Sequence, residues 1–399
     1  MNKLTLNELD VNGKRVIMRV DFNVPIKDGI VGDDTRIVAA LPSIQHVLDN
    51  GGSLILISHC GRPKGEKNMD FTLKPAADRL AELIDANITL APDVIGDDVQ
   101  SLVDSLKLGE ILILENIRFY KEEEGKGCSP EDQERFAKTL ASYGDIYVSD
   151  AFGTAHRAHA SMSVITKYID ICAAGFLLEK EIAYLGKVLE SPEHPFVAII
   201  GGAKISGKID VIMNLMDKCE TILIGGGMAY TFYAAQGLQI GDSLLEEDKI
   251  DLAREILTQA KEKGVELLLP VDHIVADSFS EDANTKEVDG EIEAGWMALD
   301  IGPKTAALYS KAVSMAKTVV WNGPMGCFEM VPFSNGTNVV CTAVASSNSV
   351  SIIGGGDSVS AVKKAGVADK MSHVSTGGGA SLEFMEGKQL PGIISLTDS

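Results

Sequence analysis

Short apolar runs rich in β-branched residues alternate along this chain with longer segments whose apolar residues recur every three or four positions. The short runs fit buried strands, and the longer segments fit helices that cover them. The runs span residues 15–20, 53–57, 110–114, 145–148, 196–200, 221–224, 265–269, 318–321 and 350–353. Strands that alternate with helices predict parallel βαβ units, and 399 residues exceed the usual size of one core. The predicted fold class is α/β, with two doubly wound parallel-sheet (Rossmann-like) domains joined by a hinge helix.

In the first half of the chain, each apolar run ends in a polar motif. Ligands of parallel sheets bind beyond the carboxyl ends of the strands, so these motifs should converge at one sheet edge. The candidates are Asp21, Asn23, His59, Arg62, Arg118 and Arg157, with Arg36 at a predicted helix start. Any one arginine could instead be a salt-bridged surface residue, but several at equivalent positions favour a small, multiply negative ligand. His59 and His156 could each be a general acid–base group or, more simply, a hydrogen-bonding ligand.

In the second half, glycine replaces arginine at the strand ends. Eight of the nine arginines lie at or before Arg157, whereas glycine turns lie at 201–202, 225–227, 354–356 and 377–379. A strand, a glycine turn and a helix N-terminus form an anion site, because unpaired backbone N–H groups point at the ligand. One such turn fits a tight β–α connection without a ligand equally well. Four in one sheet favour phosphate binding.

Two lysines and one aspartate add charge to these turns. Lys204 and Lys208 would share a face if a helix began there, although solvated surface lysines are the simpler interpretation without the glycines. The segment nearly matches the P-loop, but Ile209 stands where Ser or Thr should bind magnesium, so we reject that interpretation. No G-x-G-x-x-G pattern occurs, which weakens a dinucleotide-binding prediction. Asp357 is a candidate carboxylate for nucleotide-bound Mg²⁺ or a plain helix N-cap, and the two roles are compatible.

Composition and charge argue against several classes of partner. The chain is 45% hydrophobic, as is ordinary for a globular protein, and its net charge of −21 argues against nucleic acid and anionic membranes. We expect no secretory signal, because the first residues lack an apolar core, and no apolar run approaches membrane-spanning length. The six cysteines are scattered without C-x-x-C spacing, which favours free thiols in the cytoplasm.

Together, the ordered motifs resemble those of the phosphoglycerate kinase family along essentially the whole chain. They are R-V-D-F-N-V-P (19–25), D-T-R-I (34–37), S-H-C-G-R-P-K-G (58–65), E-N-I-R-F (115–119), S-D-A-F-G-T-A-H-R (149–157), G-G-A-K-I-S-G-K (201–208), G-G-G-M-A (225–229), W-N-G-P-M-G-C-F-E (321–329), G-G-G-D-S (354–358) and S-T-G-G-G-A-S-L-E (375–383). The set is specific, unlike any one motif alone. Departures are minor: Cys60 stands where the family usually has a larger apolar residue.

The resemblance implies reversible phosphoryl transfer between ATP and the carboxylate of 3-phosphoglycerate, giving 1,3-bisphosphoglycerate and ADP in glycolysis and gluconeogenesis. It also implies a Mg²⁺ cofactor with the nucleotide and a cytoplasmic monomer. It places the acid on a domain at 1–174 and the Mg-nucleotide on a domain at 191–385. The pattern at 175–190 predicts an interdomain helix, although an ordinary packing helix fits nearly as well. We expect a hinge there, and a tail at 386–399 that returns to the first domain.

The resemblance also assigns roles to individual residues. Substrate-binding residues are implied at Asp21, Phe22, Asn23, Arg36, His59, Cys60, Gly61, Arg62, Arg118 and Arg157. Nucleotide-binding residues are implied at Lys208, Gly302, Glu329, Gly355, Gly356, Asp357 and Ser358, with Asp357 also approaching the metal. Arg36, Lys204 and Gly356 at the helix N-terminus are the candidates for stabilising the charge of the moving phosphoryl group. The acceptor carboxylate is already ionised at neutral pH, so no strong general base is required.

Two alternatives to this prediction stay open at the level of sequence. A non-enzymatic two-lobed anion-binding protein would share the two α/β lobes and the hinge. It would not need Lys204, Lys208 and Asp357 beside four glycine turns. A nicotinamide-dependent dehydrogenase is the other enzyme considered, and the missing dinucleotide pattern argues against it.

Overall fold

The computed structural model describes residues 2–399, which divide into two compact units. Unit 1 contains the residues up to Ala183 together with Gln389–Ser399, and unit 2 contains Tyr184–Lys388. The division falls inside one long helix. Element labels below run in chain order across both units.

Unit 1 is built around a parallel sheet of six strands. The described residues of this unit form eight strands, six in this sheet and two in a separate hairpin: β1 (Arg15–Arg19), β2 (Ile26–Lys27), β3 (Ile30–Val31), β4 (Ser53–Ile57), β5 (Ile88–Leu90), β6 (Ile111–Ile113), β7 (Ile146–Ser149) and β8 (Cys172–Ala174). Its helices are α1 (Thr35–Asp49), α2 (Lys74–Leu83), α3 (Asp97–Ser105), α4 (Lys121–Glu124), α5 (Pro130–Ala141), α6 (Phe176–Glu190), which continues into unit 2, and α14 (Pro391–Ile394). The sheet order is β5-β6-β4-β1-β7-β8, and β2 and β3 form a separate hairpin.

The apolar runs form this sheet because both of its faces are covered. All five residues of β4, S-L-I-L-I, are buried, as parallel strands between helical layers require. Helix α1 begins at Thr35 and buries Ile37, Ile44 and Val47 along one face, which matches the helical period. The central strands are therefore buried along their length, and the polar motifs follow them at their carboxyl ends.

Residues 389–399 belong to unit 1 through backbone hydrogen bonds. The N–H of Gly392 donates to the carbonyl of Ala155 at 2.8 Å, and the N–H of Thr397 donates to the carbonyl of Cys172 at 2.9 Å. The N–H of Leu4 in turn donates to the carbonyl of Thr397 at 2.9 Å. Both ends of the described chain are thus part of the same unit.

Unit 2 repeats the arrangement with a second parallel sheet of six strands. Its described residues form nine strands, six in this sheet and three in a smaller one: β9 (Phe196–Ile200), β10 (Thr221–Ile224), β11 (Glu266–Leu268), β12 (Asp272–Ala276), β13 (Thr285–Asp289), β14 (Met297–Ile301), β15 (Thr318–Asn322), β16 (Val350–Gly354) and β17 (His373–Val374). Its helices are α7 (Ile209–Met216), α8 (Ala229–Ala235), α9 (Ile250–Lys263), α10 (Pro303–Met315), α11 (Asn335–Ser346), α12 (Gly356–Lys364) and α13 (Gly379–Met385). The main sheet has the order β11-β10-β9-β15-β16-β17, and β13-β12-β14 form a small antiparallel sheet.

The predicted fold class, α/β with two parallel sheets, is confirmed. Within residues 2–399, no helix is both long and apolar enough to cross a membrane.

Candidate active site

Arg36 is held at the strand edge of unit 1 by the segment that follows β1. Its Nη1 donates to the carbonyl of Asn23 at 2.9 Å and lies 3.2 Å from Oδ2 of Asp21. It is the second residue of α1, as its predicted place at a helix start required. The Arg36 side chain is 37% exposed, so part of it is accessible to a ligand.

The loop after β4 is attached to the same edge through its backbone. The N–H of Gly61 donates to Oδ1 of Asn23 at 2.9 Å, and Nη1 of Arg118 donates to the carbonyl of Gly61 at 2.9 Å. Buried Asn116 donates to the carbonyl of Cys60 at 2.7 Å and accepts from its N–H at 3.2 Å. This amide therefore sets the shape of the loop, a role that the sequence analysis did not assign.

His59 is buried beside a second buried residue, Arg19. Nη2 of Arg19 lies 3.3 Å from Nδ1 of His59. A guanidinium only donates, so Nδ1 is the acceptor and the ring proton is on Nε2. Burial, followed by the charges of Arg19, Arg118 and Arg36, holds the pKa of His59 well below its usual value. His59 is therefore a neutral donor at pH 7.

The buried charge of Arg19 is balanced through Ser161. Nε of Arg19 donates to Oγ of Ser161 at 3.0 Å, and this hydroxyl donates to Oε1 of Glu123 at 2.7 Å. The N–H of Ser161 also donates to Oε2 of Glu123 at 2.9 Å. Neither role was predicted from the sequence: Arg19 had a signal, as a charged residue near the end of an apolar run, whereas Glu123 lies in the charged segment Lys121–Glu124 and had none.

The remaining predicted residues of unit 1 lie around this cluster. Arg62 and Arg157 are exposed, whereas Phe22 is fully buried and serves the core. Arg62 is close enough for its charge to act on Arg118. Burial, then the charges of Arg157 and other neighbours, lowers the pKa of His156 to about 4. The edge of unit 1 is thus a cationic surface with neutral histidines, which suits a small polyanion.

Three glycine turns of unit 2 meet backbone to backbone. A Cβ on Gly201 would lie 2.1 Å from the carbonyl oxygen of Pro324, and one on Gly323 would lie 2.1 Å from that of Gly201. The N–H of Gly226 donates to the carbonyl of Met325 at 2.9 Å, and that of Gly202 to Pro324 at 3.0 Å. Gly201 and Gly323 need to be glycine because a Cβ at either would collide with the backbone of the facing turn.

The turn after β16 presents the N-terminus of α12. Gly355 occupies the N-cap position with φ of 88°, so the alternative that Asp357 is the N-cap is wrong. Asp357 lies in the first helical turn and is exposed. Around Gly356 there is open space, because a Cβ there would meet nothing within 4 Å. The helical hydrogen bonds begin with the N–H of Val359, which donates to the carbonyl of Gly355 at 3.1 Å. The N–H groups that precede Val359 in the first turn are therefore available to a ligand.

Asn322, at the end of β15, is a polar residue of this turn that the sequence analysis did not assign. Its Nδ2 is buried without a hydrogen-bond partner in the described chain, and a Cβ on Gly355 would lie 2.9 Å from it. An orphaned buried donor beside a helix N-terminus fits an anion. Oγ of Ser358 accepts from the N–H of Gly323 at 2.6 Å and so joins α12 to the loop after β15.

Lys204 and Lys208 do not share one α-helix, contrary to the suggestion from their spacing. A 3₁₀ turn, Ile205–Gly207, follows Lys204, and α7 begins only at Ile209. Lys204 is exposed, while the half-buried Lys208 donates from Nζ to Oδ1 of Asn322. Burial lowers the pKa of Lys208, and the charge of Asp357 acts in the opposite direction.

A cavity of about 470 Å³ lies in unit 2 along the glycine turns. Its wall includes Glu329 and Asp357 at polar positions and Leu244, Phe279 and Tyr230 at apolar ones. A concave, mostly apolar site with a few charged groups is typical of small-molecule binding. The cavity therefore combines an apolar wall with carboxylates, which can accept hydrogen bonds from a ligand or hold a cation.

Gly302 was predicted to bind nucleotide, but it is not among the described residues that line this cavity. Its neighbour is Asp272, whose Oδ2 would lie 2.4 Å from a Cβ at position 302. The Asp272 carboxylate accepts from the N–H groups of Lys304 at 2.8 Å and Thr305 at 2.7 Å, which caps α10. This close packing accounts for the glycine, and its role toward nucleotide stays a prediction.

Asp300 is a buried carboxylate on the cavity wall that the sequence analysis did not single out. Its Oδ2 accepts from the N–H of Gly336 at 2.7 Å, and its Oδ1 from the N–H of Ile301 at 2.9 Å. Burial raises the pKa of Asp300 to about 7. No sequence signal identified it, because it lies inside the apolar strand β14.

Parallel α/β sheets that carry glycine turns, lysines and a helix N-terminus at their strand ends are the arrangement of nucleotide-dependent phosphotransferases. The family model described as "Phosphoglycerate kinase" matches residues 6–388. The chain therefore belongs to the phosphoglycerate kinase family.

Individual proteins show the same relationship. The curated "Phosphoglycerate kinase" of Chloroherpeton thalassium is 55% identical and is matched over 100% of both chains. That of Clostridium botulinum strain Alaska E43 is 54% identical over 100% of this chain and 99% of its own length. The solved structure of phosphoglycerate kinase from Coxiella burnetii superposes with a TM-score of 0.89 at 41% identity and 98% coverage of each chain. That from Pyrococcus horikoshii OT3 gives 0.83 at 32% identity, also with 98% coverage of each.

The predicted family, fold and enzyme class are confirmed by these findings. They lend no support to a non-enzymatic anion-binding protein.

Proposed function

We propose that this chain catalyses reversible phosphoryl transfer between ATP and the carboxylate of 3-phosphoglycerate, giving 1,3-bisphosphoglycerate and ADP. This reaction is a step of glycolysis and gluconeogenesis. The observation that carries the proposal is the family match over residues 6–388, because it spans both units and every motif named above. The curated relatives of Chloroherpeton thalassium and Clostridium botulinum described above, at 55% and 54% identity, support the same activity.

The acid substrate binds at the cationic edge of unit 1 in this proposal. 3-Phosphoglycerate carries a phosphate of about −1.5 to −2 charge and a carboxylate, which suit Arg36, Arg62, Arg118 and Arg157. An ionised Asp21 only accepts hydrogen bonds, so it would face the substrate hydroxyl rather than its anionic groups. The Nε2–H of His59 would add a neutral donor. The backbone of the Cys60 and Gly61 loop completes this site.

The nucleotide binds in the cavity of unit 2. Its phosphates would meet the N–H groups at Gly356, Asp357 and Ser358, which the conformation of Gly355 directs outward. Lys208 would neutralise charge on the same phosphates, and the orphaned amide of Asn322 would donate a hydrogen bond to them. The exposed Lys204 lies next to the glycine turn at 201–202 and would remain close to the phosphoryl group during its transfer.

Mg²⁺ would be held by Asp357 together with phosphate oxygens and water. A hard cation of this kind usually takes one or two carboxylates and keeps several waters, and the exposed Asp357 on the cavity wall fits that donor set. The ion would supply neutralising charge to the phosphates when it is bound.

The mechanism needs positioning and charge rather than proton transfer. The acceptor carboxylate is ionised at neutral pH, so no general base is required, and the neutral His59 serves as a hydrogen-bond donor. Arg36, Lys204 and the N-terminus of α12 at Gly356 would stabilise the charge on the moving phosphoryl group. Arg36 is suited to this role because its bonds to Asp21 and Asn23 fix its orientation.

Each substrate would start on a different unit, so the units must approach one another for the reaction. We place the hinge in α6, because the division between the units falls inside this helix. The chain crosses between the units a second time near residues 386–399, and this segment would also have to adjust. Small-angle scattering tests this directly: the radius of gyration should fall when 3-phosphoglycerate and a nucleotide analogue are both present. An unchanged radius with both ligands bound would leave no role for a hinge.

The protein would work as a monomer in the cytoplasm, with no nucleic acid or membrane as partner. The net charge of −21 supports the last two points, because it opposes binding to polyanions.

A coupled assay with ATP and 3-phosphoglycerate tests the function. Lys204→Ala should lower kcat by roughly 10²–10³, as loss of one preorganised donor does, and Arg36→Ala should lower kcat similarly without weakening nucleotide binding. Lys261→Ala and Arg135→Ala, at exposed positions on α9 and α5, are the matched controls and should turn over normally. No turnover by the unmodified protein would refute the proposal. Loss of ATP binding in Arg36→Ala would refute the division of substrates between the units.

A further inference from the structure

Lys364 is the last residue of α12, and it ties this helix to the loop that carries Glu329. Its Nζ donates to the carbonyl of Phe328 at 2.9 Å and to the carbonyl of Glu329 at 3.1 Å. The same ammonium lies 5.8 Å from the ring centroid of Phe328, within the range of a cation–π contact. One side chain thus fixes two consecutive peptide groups.

Local backbone bonds also shape this loop: the N–H of Met330 donates to the carbonyl of Cys327 at 3.0 Å, and the N–H of Phe328 donates to that of Gly326 at 2.9 Å. Glu329 is exposed and lies on the cavity wall, whereas its neighbour Phe328 is buried. The N–H of Cys327 donates to the carbonyl of Leu299 at 2.8 Å, which fixes the loop earlier along the chain. Lys364 is the side chain from another element that holds the carbonyls of Phe328 and Glu329, so it contributes to the direction in which the Glu329 carboxylate leaves the backbone.

The other end of the same helix holds the other end of the same loop. Ser358, in the first turn of α12, accepts from the N–H of Gly323 at 2.6 Å. Helix α12 is nine residues long and begins at the phosphate turn. It is therefore a rigid link between the phosphate turn and the loop segment around Glu329.

The chemistry of a nucleotide decides what Glu329 recognises. Phosphates offer only acceptors and negative charge, so a second carboxylate beside Asp357 would repel them. The nucleoside part offers hydroxyl and amino donors, which a carboxylate accepts. Glu329 is thus suited to the nucleoside part of the ligand and not to its phosphates.

We propose that Lys364 is a positioning residue for nucleoside recognition, which it performs by orienting Glu329 while the first turn of α12 binds phosphate. This inference rests on the proposed function, because it takes the cavity of unit 2 as the nucleotide site. It assigns no contact between Lys364 and the nucleotide.

Binding of ADP and of inorganic triphosphate, measured by calorimetry, separates this role from a general one. Lys364→Met should weaken ADP binding roughly tenfold and leave triphosphate binding unchanged, because triphosphate has no nucleoside part. KM for ATP should rise while kcat stays within about twofold. Lys364→Arg should restore most of the ADP affinity. Lys363→Met, which removes the same charge from the neighbouring position, should leave the ratio of the two affinities as in the unmodified protein.

A second measurement keeps the test decisive if Lys364→Met lowers stability. The effects of Lys364→Met and Glu329→Gln on ADP affinity should be strongly non-additive, since one acts through the other. Additive effects, an equal loss for ADP and triphosphate, or no loss for ADP would each overturn the inference. Failure of the unmodified protein to bind ADP would instead overturn the proposed function, and the two failures are therefore distinguishable.

Discussion

Arg19 and His59 are joined by a hydrogen bond in which a permanently charged guanidinium faces Nδ1 of a buried imidazole. This partner cannot accept a proton, so the ring cannot become cationic without breaking the bond. The imidazole is thereby kept as a donor of fixed orientation at the edge of unit 1.

The first prediction concerns the pH dependence of this donor. His59→Gln should keep most of the activity, because its amide can donate near the position of Nε2, while His59→Leu should raise KM for 3-phosphoglycerate roughly tenfold. The pH profile of kcat/KM between about pH 6 and pH 8 should have the same shape in His59→Gln as in the unmodified protein. An inflection near 6.5, the usual pKa of histidine, that disappears in His59→Gln would contradict a neutral His59.

The second prediction compares two glycines of unit 2. Gly201→Ala should lower stability by about 1–3 kcal/mol, because its Cβ would lie 2.1 Å from a backbone oxygen that cannot move freely. Gly356→Ala should fold with an unchanged melting temperature, since nothing lies within 4 Å, and should raise KM for ATP by intruding on the phosphate position. Calorimetric melting and steady-state kinetics of both variants check this. Equal melting temperatures for the two would show that the turns tolerate a side chain.

The third prediction concerns the metal. Asp357→Asn should leave ADP binding unchanged or slightly tighter in EDTA, because it removes a negative charge from the cavity wall. The tighter binding of ADP that Mg²⁺ confers should be lost in the same variant. Titration calorimetry with and without Mg²⁺ measures both. If Mg²⁺ strengthened ADP binding equally in the variant, another group would hold the ion.

The fourth prediction concerns Asp300 and the pH dependence of stability. With its pKa raised from 3.8 to about 7, folded Asp300 keeps a proton that the unfolded chain loses above about pH 4. Its stabilising contribution is therefore complete below about pH 4 and is lost as the pH rises through 7. Asp300→Asn is neutral throughout, so its melting temperature relative to the unmodified protein should be higher at pH 8 than at pH 5.5.

Calorimetric scans of the ligand-free protein at these two pH values provide the check. Asp282→Asn, at an exposed site of unit 2, is the control. A melting temperature of Asp300→Asn, relative to the unmodified protein, that stays the same between pH 5.5 and pH 8 would show that folded Asp300 is already ionised at pH 5.5 and would contradict the raised pKa.

The strand ends were predictable because they follow from local pattern. The run 350–353, the glycines after it and the following helix predicted the turn at Gly355 in its correct place. Arg36 was likewise placed by its position at a helix start. In each case the neighbours along the chain carry enough information.

Finer placements failed where tertiary contacts decide the local structure. The spacing of Lys204 and Lys208 suggested one helical face, yet Lys208 is turned to Asn322, which lies 114 positions away. Gly302 was assigned to the nucleotide through the family resemblance alone; the structure shows its close packing against the carboxylate of Asp272, and its role toward the nucleotide stays a prediction. Neither partner is visible in the surrounding sequence.

Buried polar residues were the hardest to predict. Arg19, Asn322 and Asp300 all lie in strands, where a single polar residue among apolar ones indicates only the end or edge of the strand. Their roles come from partners on other elements, such as His59 for Arg19. Only the assembled sheet brings these groups together.

The hydrogen bonds of Gly392 and Thr397 within unit 1 have a consequence for protein synthesis. The ribosome makes residues 389–399 only after all of Tyr184–Lys388 has been polymerised. Unit 2 is thus the first whose residues are all available, although unit 1 begins to emerge earlier. Unit 1, which still lacks residues 389–399 at that stage, must therefore remain able to accept this segment while unit 2 folds.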